Sequence, residues 1–238
     1  MSRADYLIVS CEHGGNRVPA RFRKLFSRRF LASHRGFDPG ALVLARDFAA
    51  AARAPLFYST TSRLLVELNR PLGHPQIFHR DVPEPTRPGL LRRYYLPYWR
   101  RIENAIARAI RRGRRVLHVS VHSFTPRLRG VRRSTDVGLL FDPRRRREAA
   151  LSACWKKQIE RKDARLVVRY NDPYAGVHPS VVQSMRETFS PARYTGIQIE
   201  INQKFARRGG RAWRALRETL VESFASRRPR SGSTRPYA

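Results

Sequence analysis

The chain has 238 residues, 41% of them hydrophobic, with 12 Phe and 9 Tyr, which is too apolar for a disordered polymer and enough for one sizeable α/β core. The excess of 49 Lys and Arg over 18 Asp and Glu gives a formal charge of +31. That charge suits weak, salt-sensitive, non-specific adhesion to polyanions and leaves a basic nucleic-acid-binding protein as the alternative to an enzyme. No run of about 20 apolar residues is present to span a bilayer, no signal peptide precedes the first strand-like segment, and two cysteines make no disulfide framework, so a reduced cytoplasmic protein without a membrane partner is expected.

In chain order, residues 6–10 form a short β-prone run that breaks at Cys11-Glu12-His13-Gly14-Gly15. A histidine directly after a strand and before paired glycines stands where ligands are held; a polar turn with incidental Glu12 and His13 reads equally well from this stretch alone. Asp38 precedes Pro39, and residues 41–53 are alanine-rich and helical by propensity, so Asp38 is either a turn or cap residue or a ligand. Residues 56–60 read as a second strand. Arg70 closes the stretch Glu67-Leu68-Asn69-Arg70. Its fork can take a carboxylate in bidentate fashion, or make an ordinary ion pair. Residues 71–91, rich in Pro, His and Gly, read as a long loop that could cover a site.

Residues 94–112 carry Trp99, Ile102, Ile106, Ala109 and Ile110 at helical spacing, with Gly113 placed to end the helix. The run 116–123 is a buried-strand pattern that delivers His122 to the end of the strand. His118 lies on the same face and reads as a core or supporting histidine. Residues 136–142 read as a strand, with an edge position left open. A helix over 148–162, a strand over 165–171 and a turn at 172–176 follow. In the run 195–202, Ile197, Ile199 and Ile201 alternate with Gln198, Glu200 and Asn202. Glu200 thus faces away from the isoleucines and needs a partner, solvent or a site above it. A last helix covers 211–224. Residues 1–225 read as a single domain and 226–238 as a disordered basic tail. The alternation of strands and helices predicts an α/β fold with a mainly parallel sheet.

His13, Asp38, His122 and Glu200 together carry a recognisable chemistry. Two neutral imidazoles and a carboxylate are a common zinc shell with an open position. A further carboxylate that does not bind the metal can move the proton of a water molecule. The stretches around Ser10–Pro19, Gly36–Ala41, Glu67–Arg70, Val121–Phe124 and Gly196–Asn202 resemble, in order, the N-formylglutamate amidohydrolase family, itself similar to zinc carboxypeptidases and succinylglutamate desuccinylases. The resemblance spans residues 6–205. It implies a three-layer sandwich with a mixed, mainly parallel central sheet of the zinc exopeptidase (phosphorylase/hydrolase) type. It implies one Zn2+ held by His13, Asp38 and His122, Glu200 as general base, and Asn69 and Arg70 on the carboxylate of a small N-acyl amino acid. Asn16 stands where the related His-x-x-Glu motif has its glutamate. The carboxylate ligand is therefore assigned to Asp38, with Glu12 as the rival. On the nucleic-acid alternative, the same fold would carry a vestigial metal site.

Overall fold

A computed structural model describes residues 5–225; the basic tail expected at 226–238 lies outside the described residues. A six-stranded sheet is built from β1 (Tyr6–Cys11), β2 (Leu56–Tyr58), β3 (Val116–Phe124), β4 (Val137–Leu140), β5 (Val168–Tyr170) and β6 (Tyr194–Asn202), in the spatial order β2-β1-β3-β6-β4-β5. All neighbours run parallel except β4 against β6. The mixed, mainly parallel α/β sandwich implied by the sequence is thus present. Strand β4 lies inside the sheet, and the edges are β2 and β5. The interior place explains why all four β4 residues are buried, as expected of a strand covered on both faces.

The five main helices are α1 (Ala41–Ala52), α2 (Leu96–Arg111), α3 (Arg146–Lys162), α4 (Val181–Thr188) and α5 (Gly210–Ala225). Helices α1, α3 and α5 cover one face. There Leu117, Val119 and Val121 of β3 and Ile197, Ile199 and Ile201 of β6 meet Phe48, Trp155 and Phe224. Those three rings pack edge-on or tilted with centroids 4.8–5.8 Å apart, a geometry aromatic quadrupoles favour. Helices α2 and α4 cover the other face through Tyr98, Ile102, Ile106, Val181 and Met185. The period of two therefore splits β3 and β6 cleanly. Odd-numbered residues from 117 and 197 onward enter the first core, and His118, Ser120, His122, Gln198 and Glu200 point to the second face, where the site lies.

The loop over residues 71–91 is no cover for that site. Ile77 is buried in the core under α2 and Val82 in a side cluster with Phe22, Leu65 and Leu90, Ile77 O accepts from Glu67 N, and the segment rises through short helical turns into α2. Its apolar residues give it a packing role that its Pro and Gly content conceals.

Chain order sets where a ligand can sit. From β1 the chain moves outward to β2 and then crosses back to place β3 on the other side of β1. The gap between the carboxyl ends of β1 and β3 is a topological switch point, where crossovers diverge and leave a crevice.

Candidate metal and catalytic site

That crevice receives His13 from the end of β1 and His122 from the end of β3. Gly14 and Gly15 let the chain leave β1: a Cβ at either would sit 2.8 Å from the backbone carbonyl oxygen of Ser59 or Thr60. The close approach the glycines permit is thus to the neighbouring backbone. His13 O accepts from Asp38 N at 2.9 Å, which draws the Asp38 loop alongside. Helix α1 takes Gly40 as its N-cap without a side-chain cap bond, so the Asp38 carboxylate is free to turn inward.

Inward, His13 Nδ1 lies 3.1 Å and His122 Nδ1 2.9 Å from the same oxygen, Asp38 Oδ2. Each ring has its other nitrogen on a different carboxylate. His13 Nε2 is 2.5 Å from Glu67 Oε1, and His122 Nε2 is 3.0 Å from Glu12 Oε2. All five side chains are buried. Glu67 also accepts from Asn69 N at 2.8 Å and pairs with Arg63, which reaches Asp38 at 3.5 Å as well. Glu12 accepts from Tyr98 Oη and Ser120 Oγ, each at 2.8 Å.

The three carboxylates and two imidazoles polarise one another. Burial alone would raise the Glu12 carboxyl, but the hydrogen bond and charge of His122 outweigh it and hold it at about 2. Asp38 and Glu67 resist burial in the same way and lie well below the usual range, Asp38 chiefly through His13 and His122, Glu67 through Arg63 and His13. Burial opposes charging of the two rings, yet the facing carboxylates raise both His13 and His122. His118 stays apart. It is bonded to Ser10 Oγ and Tyr194 Oη, each at 2.8 Å, and burial lowers it to about 4.

A metal would fit this donor set. The ligand atoms of His13, Asp38 and His122 lie within 4.8 Å of one another. A carboxylate on the far nitrogen of each ring fixes the tautomer that turns Nδ1 inward as a lone-pair donor, the usual support for a metal-binding histidine. Glu12 sits behind His122 and outside this group, because neighbouring side chains on an extended segment point apart.

Glu200 is the register partner of His122 on β6 and lines the same cavity of about 170 Å³ as His13, Asp38 and His122. Its Oε2 is buried without a hydrogen-bond partner. Burial raises its pKa, Asp38 adds to the rise against the opposing charge of His122, and the carboxyl settles at about 7. Arg70 reaches the cavity with Nη1 donating to Asn69 O at 3.1 Å and Pro179 O at 2.8 Å. Both ends of the Asn69 amide face protein: Oδ1 accepts from Val181 N at 3.1 Å, and Nδ2 lies 3.2 Å from His122 Nε2.

The polar lining residues Arg63, Tyr174, His178 and Ser180 were not singled out from sequence. Arg63 was lost among so many arginines. Tyr174 sits in the 172–176 turn and His178 and Ser180 just after it, a segment that the buried Arg186 anchors to β6 through Gly176 O and Gly196 O. Arg186 is itself paired with the buried Glu148. Only a long-range pair of this kind could reveal that segment as a wall of the site.

Fold and chemistry together place the chain among the α/β amidohydrolases. It belongs to the N-formylglutamate amidohydrolase family, whose profile matches residues 6–206. Among solved structures it is similar to gene product Atu2144 from Agrobacterium tumefaciens, at 30% identity and a TM-score of 0.77, over 93% of this chain and 91% of that one. It is also similar to the N-formylglutamate amidohydrolase from Ralstonia eutropha JMP134, at 20% identity and a TM-score of 0.71, over 95% of each chain. The latter likeness speaks for the fold alone. No match is found among curated proteins. Among the described residues no helix is long and apolar enough to cross a membrane.

Proposed function

We propose that the chain hydrolyses the amide bond of a small N-acyl amino acid of the N-formylglutamate type, using one divalent metal ion, Zn2+ by the nature of its donors. The convergence of His13 Nδ1 and His122 Nδ1 on Asp38 Oδ2, with Glu67 and Glu12 behind the two rings, carries this reading. When bound there, the ion supplies Lewis acidity to the acyl oxygen and acidifies water.

The side chains of the chain do the rest. Glu200 takes a proton from the water that attacks the acyl carbon and returns it to the nitrogen as the C–N bond breaks, leaving a carboxylic acid and a free amine. Its unpartnered oxygen and its pKa of about 7 suit both halves of that transfer. Arg70, fixed by two backbone carbonyls, takes the substrate carboxylate. Asn69, which lines the same cavity and holds the start of α4 through Val181 N, stands beside Arg70 at the substrate carboxylate. The cavity of about 170 Å³ favours a short acyl group.

Metal analysis of the purified protein and a screen of N-formyl, N-acetyl and N-succinyl amino acids test this. About one equivalent of zinc is expected, with hydrolysis abolished by chelation and restored by the metal. Hydrolysis that survives complete metal removal would overturn the reading.

A further inference from the structure

A second cavity, of about 430 Å³, opens between α2 and the strands β1 and β2 at one edge of the sheet. Its wall is one stripe of α2 and the residue that caps it: Arg101, Asn104, Arg108 and Arg112, at helical spacings of three and four. Tyr6 at the start of β1, Phe57 of β2 and Arg114 complete it. Tyr6 stands at the start of β1, roughly 20 Å from His13 at the rise of a strand, Phe57 is level with Ser10, and no residue lines both this cavity and that of the amidohydrolase site, so the two are separate.

Four arginines line the cavity, and no carboxylate does. Among the described residues no Asp or Glu pairs with Arg101, Arg108 or Arg112. The nearby Asp5 is engaged by Arg115 and Arg147 instead. Like charges in one concavity repel, and among the described residues no carboxylate pairs with Arg101, Arg108 or Arg112 to offset this. The dipole of α2 accounts for cations in its last turn, such as Arg108, but not for Arg101 two turns earlier or Arg114 beyond the helix. Two of the guanidinium groups are also held in place. Arg101 lies over the Phe57 ring at 5.7 Å and Arg114 over the Tyr6 ring at 5.5 Å. Stacked in this way, a guanidinium loses little freedom on binding and keeps its in-plane N–H edge for an oxyanion. Because arginines already cover the two rings, the cavity favours a chain of anionic groups over a stacked base.

We infer that this cavity is a binding site for an oligophosphate chain, either free or carried by a nucleotide, distinct from the amidohydrolase site. Its forks match phosphate oxygens in pairs, and its volume lies within the range of small-ligand pockets.

Calorimetric titration of tripolyphosphate into the full-length, metal-loaded protein at about 0.15 M salt tests it. One saturable equivalent is expected, retained in His122→Ala, which separates this site from the metal centre. The exposed double substitution Arg101→Ala/Arg108→Ala should weaken binding about a hundredfold, the loss of two charge-assisted contacts. The control Arg127→Ala/Arg129→Ala, which removes the same charge from the exposed ribbon at 127–132, should change it less than about twofold, since exposed charges that far away are screened. Tighter binding of adenosine triphosphate than of tripolyphosphate, with adenosine alone silent, would assign the chain to a nucleotide; equal binding would assign it to free oligophosphate. Several equivalent sites, or equal losses in the two double variants, would overturn the proposal in favour of a diffuse basic surface.

Discussion

Replacing Glu200 by Gln separates the catalytic and structural consequences of one buried carboxylate. The substitution keeps the volume and removes the charge. In the folded, metal-free protein the carboxyl titrates at about 7, against an ordinary value of 4.5, because burial and Asp38 disfavour the anion. The folded state therefore holds a proton that the unfolded chain has released between those two values. Stability from this group is fully present below pH 4.5 and is lost as the pH rises through 7. The difference corresponds to about 3 kcal/mol, at about 1.4 kcal/mol per pH unit. Glu200→Gln cannot ionise and escapes the loss. Denaturant unfolding of the chelator-treated proteins should find the variant more stable than the parent by about 3 kcal/mol at pH 8 and nearly equal to it at pH 4. After metal is restored, the same variant should bind zinc as the parent does and lose about 10²- to 10⁴-fold in kcat, the usual contribution of a general base. A variant less stable than the parent at pH 8 would refute the buried, unpartnered carboxylate. Unchanged turnover would refute its role as base.

The remaining expectations concern the groups around it. His122→Ala should abolish stoichiometric zinc binding, as read by metal analysis of the folded variant; retained zinc would remove His122 from the ligand set. Glu67→Gln and Glu12→Gln should each weaken zinc affinity about 10- to 100-fold, measured by competition with a chromophoric chelator, because each carboxylate orients one imidazole. Arg70→Ala should raise KM for a carboxylate-bearing substrate about 10- to 100-fold with a smaller effect on kcat, the pattern of a lost charge-assisted contact. Since the facing carboxylates raise His13 and His122, zinc should displace protons on binding. Its apparent affinity should then rise with pH, and calorimetry in buffers of different ionisation enthalpy should detect the released protons.

Periodicity located the six strands and four of the five main helices, but not α4 (Val181–Thr188), whose stretch was not read as a helix. The alternation of Ile197, Ile199 and Ile201 with Glu200 assigns the glutamate to the face opposite the isoleucine core, because a strand has only two faces. The helical spacing of Ile102, Ile106 and Ala109 marks the buried side of α2 in the same way. The short motifs, read in order, were enough to indicate the family, since each carries a side chain whose chemistry is legible by itself, three of them at a strand end or on a strand and two, Gly36–Ala41 and Glu67–Arg70, in the connections between. Distance along the chain hid the rest. Asp38 could be told from Glu12 as a cluster member only once the bond from Asp38 N to His13 O was formed. The supporting role of Glu67 needed His13, 54 residues away, to turn Nε2 toward it. Tyr174, His178 and Ser180 became walls of the site through the Glu148–Arg186 pair, whose members are indistinguishable in sequence from surface charges until burial sets them apart. The interior, antiparallel place of β4 likewise depends on which strand it meets. Local sequence determined the elements and the chemistry they carry, because both depend on neighbouring residues. The tertiary structure decided the partnerships, because a carboxylate becomes a ligand, a support or a base only through what the fold brings within about 3 Å of it.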